Sequence, residues 1–272
     1  MGRFSNTLAL AKASWQVLKL DRELMVFPVM SFVVSLLVAA PLVIPILLTA
    51  SDDESSMSGI MIIFGVLLMF ALAIVAVFFN GALVFGAHER LTGGDPTIGS
   101  ALSGATSKVH RLVPWALTTA TVGLILRAVR QNMGMIGKIL GSLLEMGWEV
   151  LTYLIVPIVM FEDLGPIDGV KRSTELFKRT WGENLAARVG FGLVGFVLLI
   201  PAFIVSLIAV SSGSAAFAVV GISLAVIYAV VVVVALSAMT AIFQTALYLY
   251  ATTGQVPAAF ADTTLPVAFG PR

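Results

Sequence analysis

The fold class is decided by the stretch VGFGLVGFVLLIPAFIVSLIAVSSGSAAFAVVGISLAVIYAVVVVVALSAMTAIFQTALYLY, residues 189–250. It belongs to a run from Val189 to Ala261 that contains no charged residue. A helix needs about 20 mainly apolar residues to cross the hydrocarbon core of a bilayer. The run is too long for one crossing, and the polar segment 211–214 divides it. We therefore predict two spans here, near 189–210 and 215–250.

The composition of the whole chain also indicates a protein that lies in a lipid bilayer. Hydrophobic residues make up 59% of the sequence and charged residues 11%, with a mean hydropathy of +1.03. Soluble proteins carry about 25% charged residues, so we expect lipid to surround much of this chain. No basic tract interleaved with aromatic residues predicts a nucleic-acid partner. The sequence has no cysteine, which excludes disulfides and thiol chemistry.

Four further spans are predicted upstream. The first apolar run is far longer than the 7–15 residues of a signal-peptide core, so it reads as a retained span. The third is short, but arginines at both of its ends can reach the membrane interfaces. The predicted ranges are 25–50, 59–87, 112–126 and 143–161. The prediction is an all-α, polytopic bundle of six transmembrane helices in a single integral membrane domain, residues 1–272.

The distribution of positive charge predicts the orientation. Six spans put both termini on one side, and of the 16 Lys and Arg residues all but Arg127, Arg130 and Lys138 would lie on that side. Cytoplasmic loops are enriched in Lys and Arg. We therefore expect a plasma-membrane protein with both termini in the cytoplasm and the acidic loop 51–56 outside.

The segment FEDLGPIDGVKRSTELFKRTWGEN, residues 161–184, concentrates charge in this apolar chain. Pro166 suits the first turn of a helix, and we predict a helix over 166–184. It would carry an apolar stripe, a charged face, and pairing of Glu175 with a basic residue three or four positions later. Such a helix is typical of the membrane interface and would bind anionic lipid headgroups. The stripe is Val170, Thr174, Phe177, Trp181 and Leu185, and the basic residues are Lys171, Arg172, Lys178 and Arg179.

Two more interfacial helices are predicted, over 5–22 with Trp15 at the lipid surface, and over 97–111. Shifting the sequence by about seventy positions aligns Pro96 with Pro166 and Lys108 with Lys178. We therefore predict three tandem units, each an interfacial helix followed by two spans, since repeats in one orientation build many membrane bundles.

A second internal sequence similarity places one polar residue in each of the two longest predicted spans, 59–87 and 215–250. Phe79-Asn80-Gly81-Ala82-Leu83 matches Phe243-Gln244-Thr245-Ala246-Leu247. Asn80 and Gln244 are predicted to make hydrogen bonds between helices, with a pore or ligand role as the alternative.

The segment 161–184 resembles the signature of a family of uncharacterised bacterial and archaeal six-span membrane proteins. It is also similar to the membrane domain attached to some glycerophosphodiester phosphodiesterases. The resemblance implies a fold and no activity, because the phosphodiesterase chemistry belongs to a soluble domain that has no counterpart in this sequence.

Candidate catalytic and metal-binding residues are few. His88 and His110 are the only histidines, and both are predicted to be polar residues at the interface. No HExxH motif or phosphate-binding loop occurs. A hydrolase needs a nucleophile beside a base, and neither histidine falls within a predicted span. We therefore expect no enzyme activity, no metal and no cofactor.

The charged residues near the predicted outer surface are the strongest candidates for a functional site. Arg127 and Arg130 lie three residues apart, and Glu145 and Glu149 lie four apart on one helical face. Charged groups within a membrane usually pair with one another or line water. The four residues are therefore predicted either to form ion pairs across a helical hairpin or to surround the mouth of an ion or solute path.

Three function classes follow from these features. The first is a homo-oligomer that forms a passive, channel-like solute pathway. The second is a scaffold or accessory subunit that binds lipid or a partner membrane protein, and the third is a membrane enzyme. No Asp or Glu lies at mid-span, which argues against ion-coupled transport, and we favour the channel-like pathway over the scaffold.

Overall fold

In the computed structural model every described regular element is helical. The structure describes residues 3–49, 54–132, 134–179 and 181–261. The elements are α1 Arg3–Leu20, a 3₁₀ helix Arg22–Met25, α2 Val26–Thr49, α3 Glu54–Leu91, α4 Ile98–Ser107, α5 Val109–Asn132, α6 Gly134–Leu151, α7 Ile155–Phe161, α8 Pro166–Arg179, α9 Trp181–Ser211, α10 Ala215–Thr253, and a 3₁₀ helix Ala258–Phe260.

Six stretches within the described residues are long and apolar enough to cross a membrane, which confirms the predicted all-α, six-span class. The third and fourth extend beyond their predicted ranges of 112–126 and 143–161. The candidates are Arg22–Leu47, Met61–Leu91, Val109–Gln131, Gly137–Phe161, Gly192–Ser211 and Ala215–Thr253. The chain is thus a multi-pass membrane protein.

The helices follow one another in a repeating order. A shorter helix (α1, α4 or α8) precedes each of the helical hairpins α2–α3, α5–α6 and α9–α10. Helices α4 and α8 have fewer residues than the predicted ranges 97–111 and 166–184, since α4 ends at Ser107 and α8 ends at Arg179. Val109 and Trp181 instead begin the long helices that follow.

The fourth span is broken. Residues 152–154 form a turn between α6 and α7, in which Thr152 N–H donates to Trp148 O and Tyr153 N–H to Val150 O. Pro157 explains the break, because it lacks an N–H and its ring crowds the carbonyl of Tyr153, four residues earlier. Discontinuous helices in membranes are tolerated where they are buried in protein, and Tyr153 and Leu154 are buried here.

The contacts divide the described chain into two compact units. The first comprises residues 1–25 and 180–272, and the second comprises residues 26–179. In the first unit α1 packs on α9, α10 and the last 3₁₀ helix, although some 160 residues separate α1 from α9 in sequence. Phe243 and Phe260 form part of its core, with ring centroids 6.5 Å apart.

Close helix contacts in the first unit occur at small residues. A Cβ on Gly221 would lie 2.4 Å from the Cβ of Ala209, so the α9–α10 hairpin requires glycine there. Tyr228 Oη donates to Leu198 O at 2.9 Å and ties the same two helices together. Gly254, at φ 72°, ends α10 in the left-handed conformation that favours glycine.

In the second unit α3 packs on α2, α4, α5 and α7, and α8 packs on α5, α6 and α7. The buried side of α4 is Ala101, Gly104 and Ala105, and a Cβ on Gly104 would lie 2.5 Å from the ring of Phe85. The Thr97 hydroxyl caps the start of α4 by accepting from the Ser100 N–H.

The faces that α1 and α8 bury include small residues that the sequence analysis did not assign to them. Among the described side chains of α8 the buried residues are Gly169, Ser173, Leu176 and Phe177. Of the predicted stripe, Phe177 is buried and Val170 and Thr174 are half-buried, and the side chains of Trp181 and Leu185 lie outside the described part of the structure. On α1 the side chain of Trp15 is exposed, whereas Ser14 and Leu18 are buried. The difference arises because these faces pack on neighbouring helices, so close approach selects small residues.

Candidate functional site

A cavity of about 240 Å³ lies between α3, α5 and α6 in the second unit. Helix α3 contributes apolar side chains, α5 contributes small residues and two arginines, and α6 contributes one carboxylate. The lining residues are Met69, Ala73, Thr119, Ala120, Gly123, Arg127, Arg130 and Glu145. Three of the four charges predicted to surround a vestibule thus line one space.

The cavity runs along α5 from the α5–α6 turn toward the middle of the span. Arg130 lies two residues before the end of α5 at Asn132, and Thr119 lies eleven residues before Arg130. At a rise of about 1.5 Å per residue, Thr119 is roughly 16 Å deeper than Arg130. Since the hydrocarbon core is about 30 Å thick, the cavity reaches about half-way along this span.

An ion pair crosses the α5–α6 hairpin at the cavity wall. The guanidinium of Arg130 pairs with the carboxylate of Glu145. Gly141, one turn before Glu145, makes this possible, because a Cβ there would lie 3.1 Å from the Cβ of Arg130. The Arg130 Nε is buried without a hydrogen-bond partner among the described residues.

The two remaining predicted charges differ in position. Arg127 lines the cavity and is exposed, and it forms no ion pair with any described residue. Glu149 is exposed on the next turn of α6, outside the set of lining residues. The lining therefore holds two arginines and one glutamate, which leaves one positive charge.

Aromatic and tightly packed side chains lie on α5 beyond Thr119, the lining residue farthest from the end of α5. Trp115, one turn below Thr119, stacks on Trp148, whose ring centroid is 6.0 Å away. One turn further along α5, Leu112 lies against Gly81, where an added Cβ would be 3.0 Å from Leu112 Cδ1 and 3.2 Å from Met160 Sδ. These contacts lie between the lining residues of the cavity and the α4–α5 junction.

A second polar cluster ties the loop after α7 to the α4–α5 junction. The carboxylate of Asp163 accepts hydrogen bonds from Lys108 Nζ at 3.1 Å and from Arg111 at 3.5 Å, and His110 Nε2 lies 3.5 Å away. The hydrogen bond from Lys108, followed by that from Arg111, holds the pKa of Asp163 below its ordinary value of 3.8. Asp163 adopts φ 54°, a left-handed backbone that Asp tolerates better than most residues.

An acidic residue at or next to the end of α3, and another next to the end of α7, each accept a hydrogen bond from the short helix that follows. Glu162 accepts from Arg172 Nε at 2.8 Å, which raises the pKa of the Arg172 guanidinium. Glu89 accepts from the Ser100 hydroxyl at 2.8 Å. In both places a carboxylate at or next to the end of one helix accepts a hydrogen bond from the first turns of the short helix that follows.

The comparison with protein families matches residues 57–258 to a family of unknown function, DUF6159. The chain belongs to the DUF6159 family. The matched range runs from near the start of α3 to the last 3₁₀ helix. No curated protein and no solved structure matches the chain. The expected likeness to an uncharacterised membrane family is thus confirmed, whereas the likeness to a phosphodiesterase membrane domain receives no support.

The histidines of this DUF6159 chain lie away from the cavity. His88 stacks on Phe161, with ring centroids 4.1 Å apart. His110 lies beside Asp163, and the hydroxyl of nearby Ser107 donates instead to Gly104 O at 2.7 Å. Among the described residues no group of three or more His, Cys, Asp or Glu could hold a metal.

The other predicted site residues are dispersed over both units. Asn80 and Gln244 are half-buried, and the Phe, Ala and Leu of their matching motifs are buried in both helices. Trp15 is exposed, with Lys19 Nζ 5.6 Å from its ring centroid. On α8, Lys171 and Lys178 are exposed. The side chains of Arg179 and Trp181, and loop residues 51–53, lie outside the described part of the structure.

On the charged helix one pairing differs from the prediction from sequence, and a second was not predicted. Glu175 pairs with Arg172 at 3.5 Å, three residues earlier, rather than with Lys178. Lys171 pairs with Asp168 at 3.1 Å. Sequence reasoning missed both the Trp115–Trp148 stack and the contact of Asp163 with the α4–α5 junction. Only tertiary packing brings these residues together, and no local spacing signals it.

Proposed function

We propose that this protein provides a passive, channel-like pathway for a small solute, and that the cavity between α3, α5 and α6 is its mouth. The observation that carries the proposal is a space that is lined by Arg127, Arg130 and Glu145 and reaches about half-way along a membrane span. A charge within a span is costly unless it pairs or meets water. Arg127 has no ion-pair partner among the described residues, so a hydrated cavity explains its position.

The Trp115–Trp148 stack next to the cavity would be its constriction in a resting conformation. Conduction requires the Trp115–Trp148 stack to separate, and the stack lies next to the broken fourth span. Trp148 O accepts from both the N–H and the hydroxyl of Thr152, the first residue of the break. A short break between two rigid helices is a suitable hinge, so movement there would open the pathway.

The remaining parts of the proposal rest on the sequence. We propose a homo-oligomer in the plasma membrane with both termini in the cytoplasm, because positive charge collects on the side of the termini. We also propose that the protein is not an enzyme. The two histidines contact Phe161 and Asp163, and among the described residues no hydrogen bond joins the imidazole of either histidine to a hydroxyl group.

The test is ion and small-solute flux through liposomes that contain the purified protein. Selective flux is expected, with a change in rate or ion preference in the double variant Arg127→Gln/Arg130→Gln and in Arg127→Gln alone. Lys138→Gln removes one positive charge from α6 outside the cavity lining and should leave the flux unchanged. Absence of flux from folded, correctly inserted protein would refute the pathway.

The exposed cations of α8 favour a second candidate, a scaffold that binds lipid or a partner membrane protein. Lys171 keeps 70% of its side chain exposed despite its contact with Asp168, and clustered Lys and Arg favour anionic headgroups. If this is the function, Lys171→Gln/Lys178→Gln should reduce co-purification of anionic lipid. Unchanged lipid content in that variant would count against the scaffold.

A further inference from the structure

We infer that the cavity between α3, α5 and α6 binds a small anionic group at Arg127. This inference deepens the proposed function, and it rests on that proposal for the route by which a ligand reaches the site. The ligand is either a free inorganic oxyanion or the phosphate of a lipid headgroup, since both present the same chemistry to a guanidinium.

The charge balance of the lining favours an anion. The Arg130 guanidinium is neutralised by the carboxylate of Glu145, whereas Arg127 is not neutralised by any described residue. Electrostatic attraction is stronger where water is partly excluded. An anion beside Arg127 would therefore be attracted, and the ion pair of Arg130 screens it from the nearby carboxylate.

The chemistry and size of the lining also suit a small oxyanion. A guanidinium presents a planar fork of donors that matches carboxylate and phosphate oxygens. The hydroxyl of Thr119 donates to no described residue and lies on the same wall, although deeper. The volume of about 240 Å³ corresponds to roughly eight waters at about 30 Å³ each. It therefore admits a partly hydrated small anion and is smaller than typical pockets for drug-sized ligands.

The stacked indoles supply a reporter for this site. Trp115 and Trp148 lie one turn below Thr119 and Glu145, so an anionic quencher that enters the cavity approaches them. In the background Trp15→Phe/Trp181→Phe, only these two of the four tryptophans remain. The probe is iodide, the competitor is inorganic phosphate, and caesium serves as a cationic quencher of opposite charge.

We expect saturable iodide quenching that phosphate relieves and weak quenching by caesium, for purified protein in an uncharged detergent. Arg127→Gln should abolish the saturable component, whereas Arg127→Lys and Lys138→Gln should retain it. Glu145→Gln should tighten iodide binding several-fold, because it frees the charge of Arg130. Gain in one variant and loss in another cannot both arise from misfolding.

Competition with added lipid distinguishes a lipid headgroup from a soluble anion as the ligand. If phosphatidylglycerol added in zwitterionic carrier lipid relieves quenching and free phosphate does not, the site binds a lipid headgroup. If free phosphate alone relieves it, the site binds a soluble anion. Iodide quenching that is linear and equal in Arg127→Gln and the unsubstituted protein overturns the inference. Because binding is measured without transport, saturable quenching with no liposome flux would refute the pathway and leave the anion site intact.

Discussion

At the scale of the residue, Asp163 shows how one side chain joins separate parts of the second unit. It lies in the short loop between α7 and α8, and its carboxylate reaches Lys108 and Arg111 at the α4–α5 junction. Through these contacts the loop fixes where α8 begins. Some charged side chains of the segment 161–184 therefore form contacts with other helices of the protein, and others lie on an exposed face.

Asp163→Asn should lower the thermal unfolding midpoint at neutral pH by a few degrees at most, since the carboxylate is exposed. Asn tolerates the same left-handed backbone, so the substitution tests the charge alone. The folded pKa lies below 3.8, so the stabilisation is complete above pH 3.8 and disappears as the pH falls through the folded value. The difference between variant and unsubstituted protein should close in that acid range.

The control is Asp168→Asn, which removes a carboxylate whose cation, Lys171, lies on the same helix. It should produce a smaller change. A deficit in Asp163→Asn that is constant down to strongly acid pH would show that the hydrogen-bonded ion pairs of Asp163 are not its cause.

At the scale of the element, the α5–α6 hairpin forms the cavity because one glycine allows its helices to approach. Gly141→Ala would place a methyl group 3.1 Å from Arg130 Cβ and 3.3 Å from its Cα. Overpacking of this kind costs about 1–3 kcal/mol. We expect a lower unfolding midpoint and a separated Arg130–Glu145 pair, measured as loss of the coupling between Arg130→Gln and Glu145→Gln in a double-mutant cycle.

The matched control lies on the same helix. Gly147 has no atom within 4 Å of its added Cβ, so Gly147→Ala should be neutral or slightly stabilising, because Ala favours helix. Equal destabilisation by both substitutions would contradict the close approach at Gly141.

The elements also show what the sequence can and cannot predict. Apolar length, with the flanking arginines of the third span, identified six spans, whereas the break in the fourth span was not predicted. The packing of α1 and α8 on other helices was not predicted either, because the sequence analysis considered only the lipid surface as the partner of these helices. In the structure, Ser14, Gly169 and Ser173 are buried against neighbouring helices, where small volume matters more than apolarity. Arg127, Arg130 and Glu145 could be predicted as a group, because the spacing and the short turn brought them to one end.

At the scale of the whole molecule, this membrane protein holds a cavity that is lined by charged residues and lies next to the stacked rings of Trp115 and Trp148. Trp148→Ala should widen the constriction and raise solute flux in liposomes several-fold. Trp148 is suitable because it is half-buried, whereas Trp115 is buried and its removal would destabilise the core. Trp15→Ala, at an exposed position of α1, should leave flux unchanged. Unchanged flux in Trp148→Ala would place the constriction elsewhere.

The most direct measurement asks whether water fills the cavity. Because the chain has no cysteine, a single thiol can be introduced at Thr119, within the cavity, or at Ile125, which is exposed on α5 outside its lining. Ile125 lies nearer the α5–α6 turn, so depth alone would make it react faster. With a charged, membrane-impermeant thiosulfonate applied to proteoliposomes, we predict rapid modification of Thr119→Cys and slow modification of Ile125→Cys. Faster reaction at 125 than at 119 would show that Thr119 faces no water-filled space and would contradict the account.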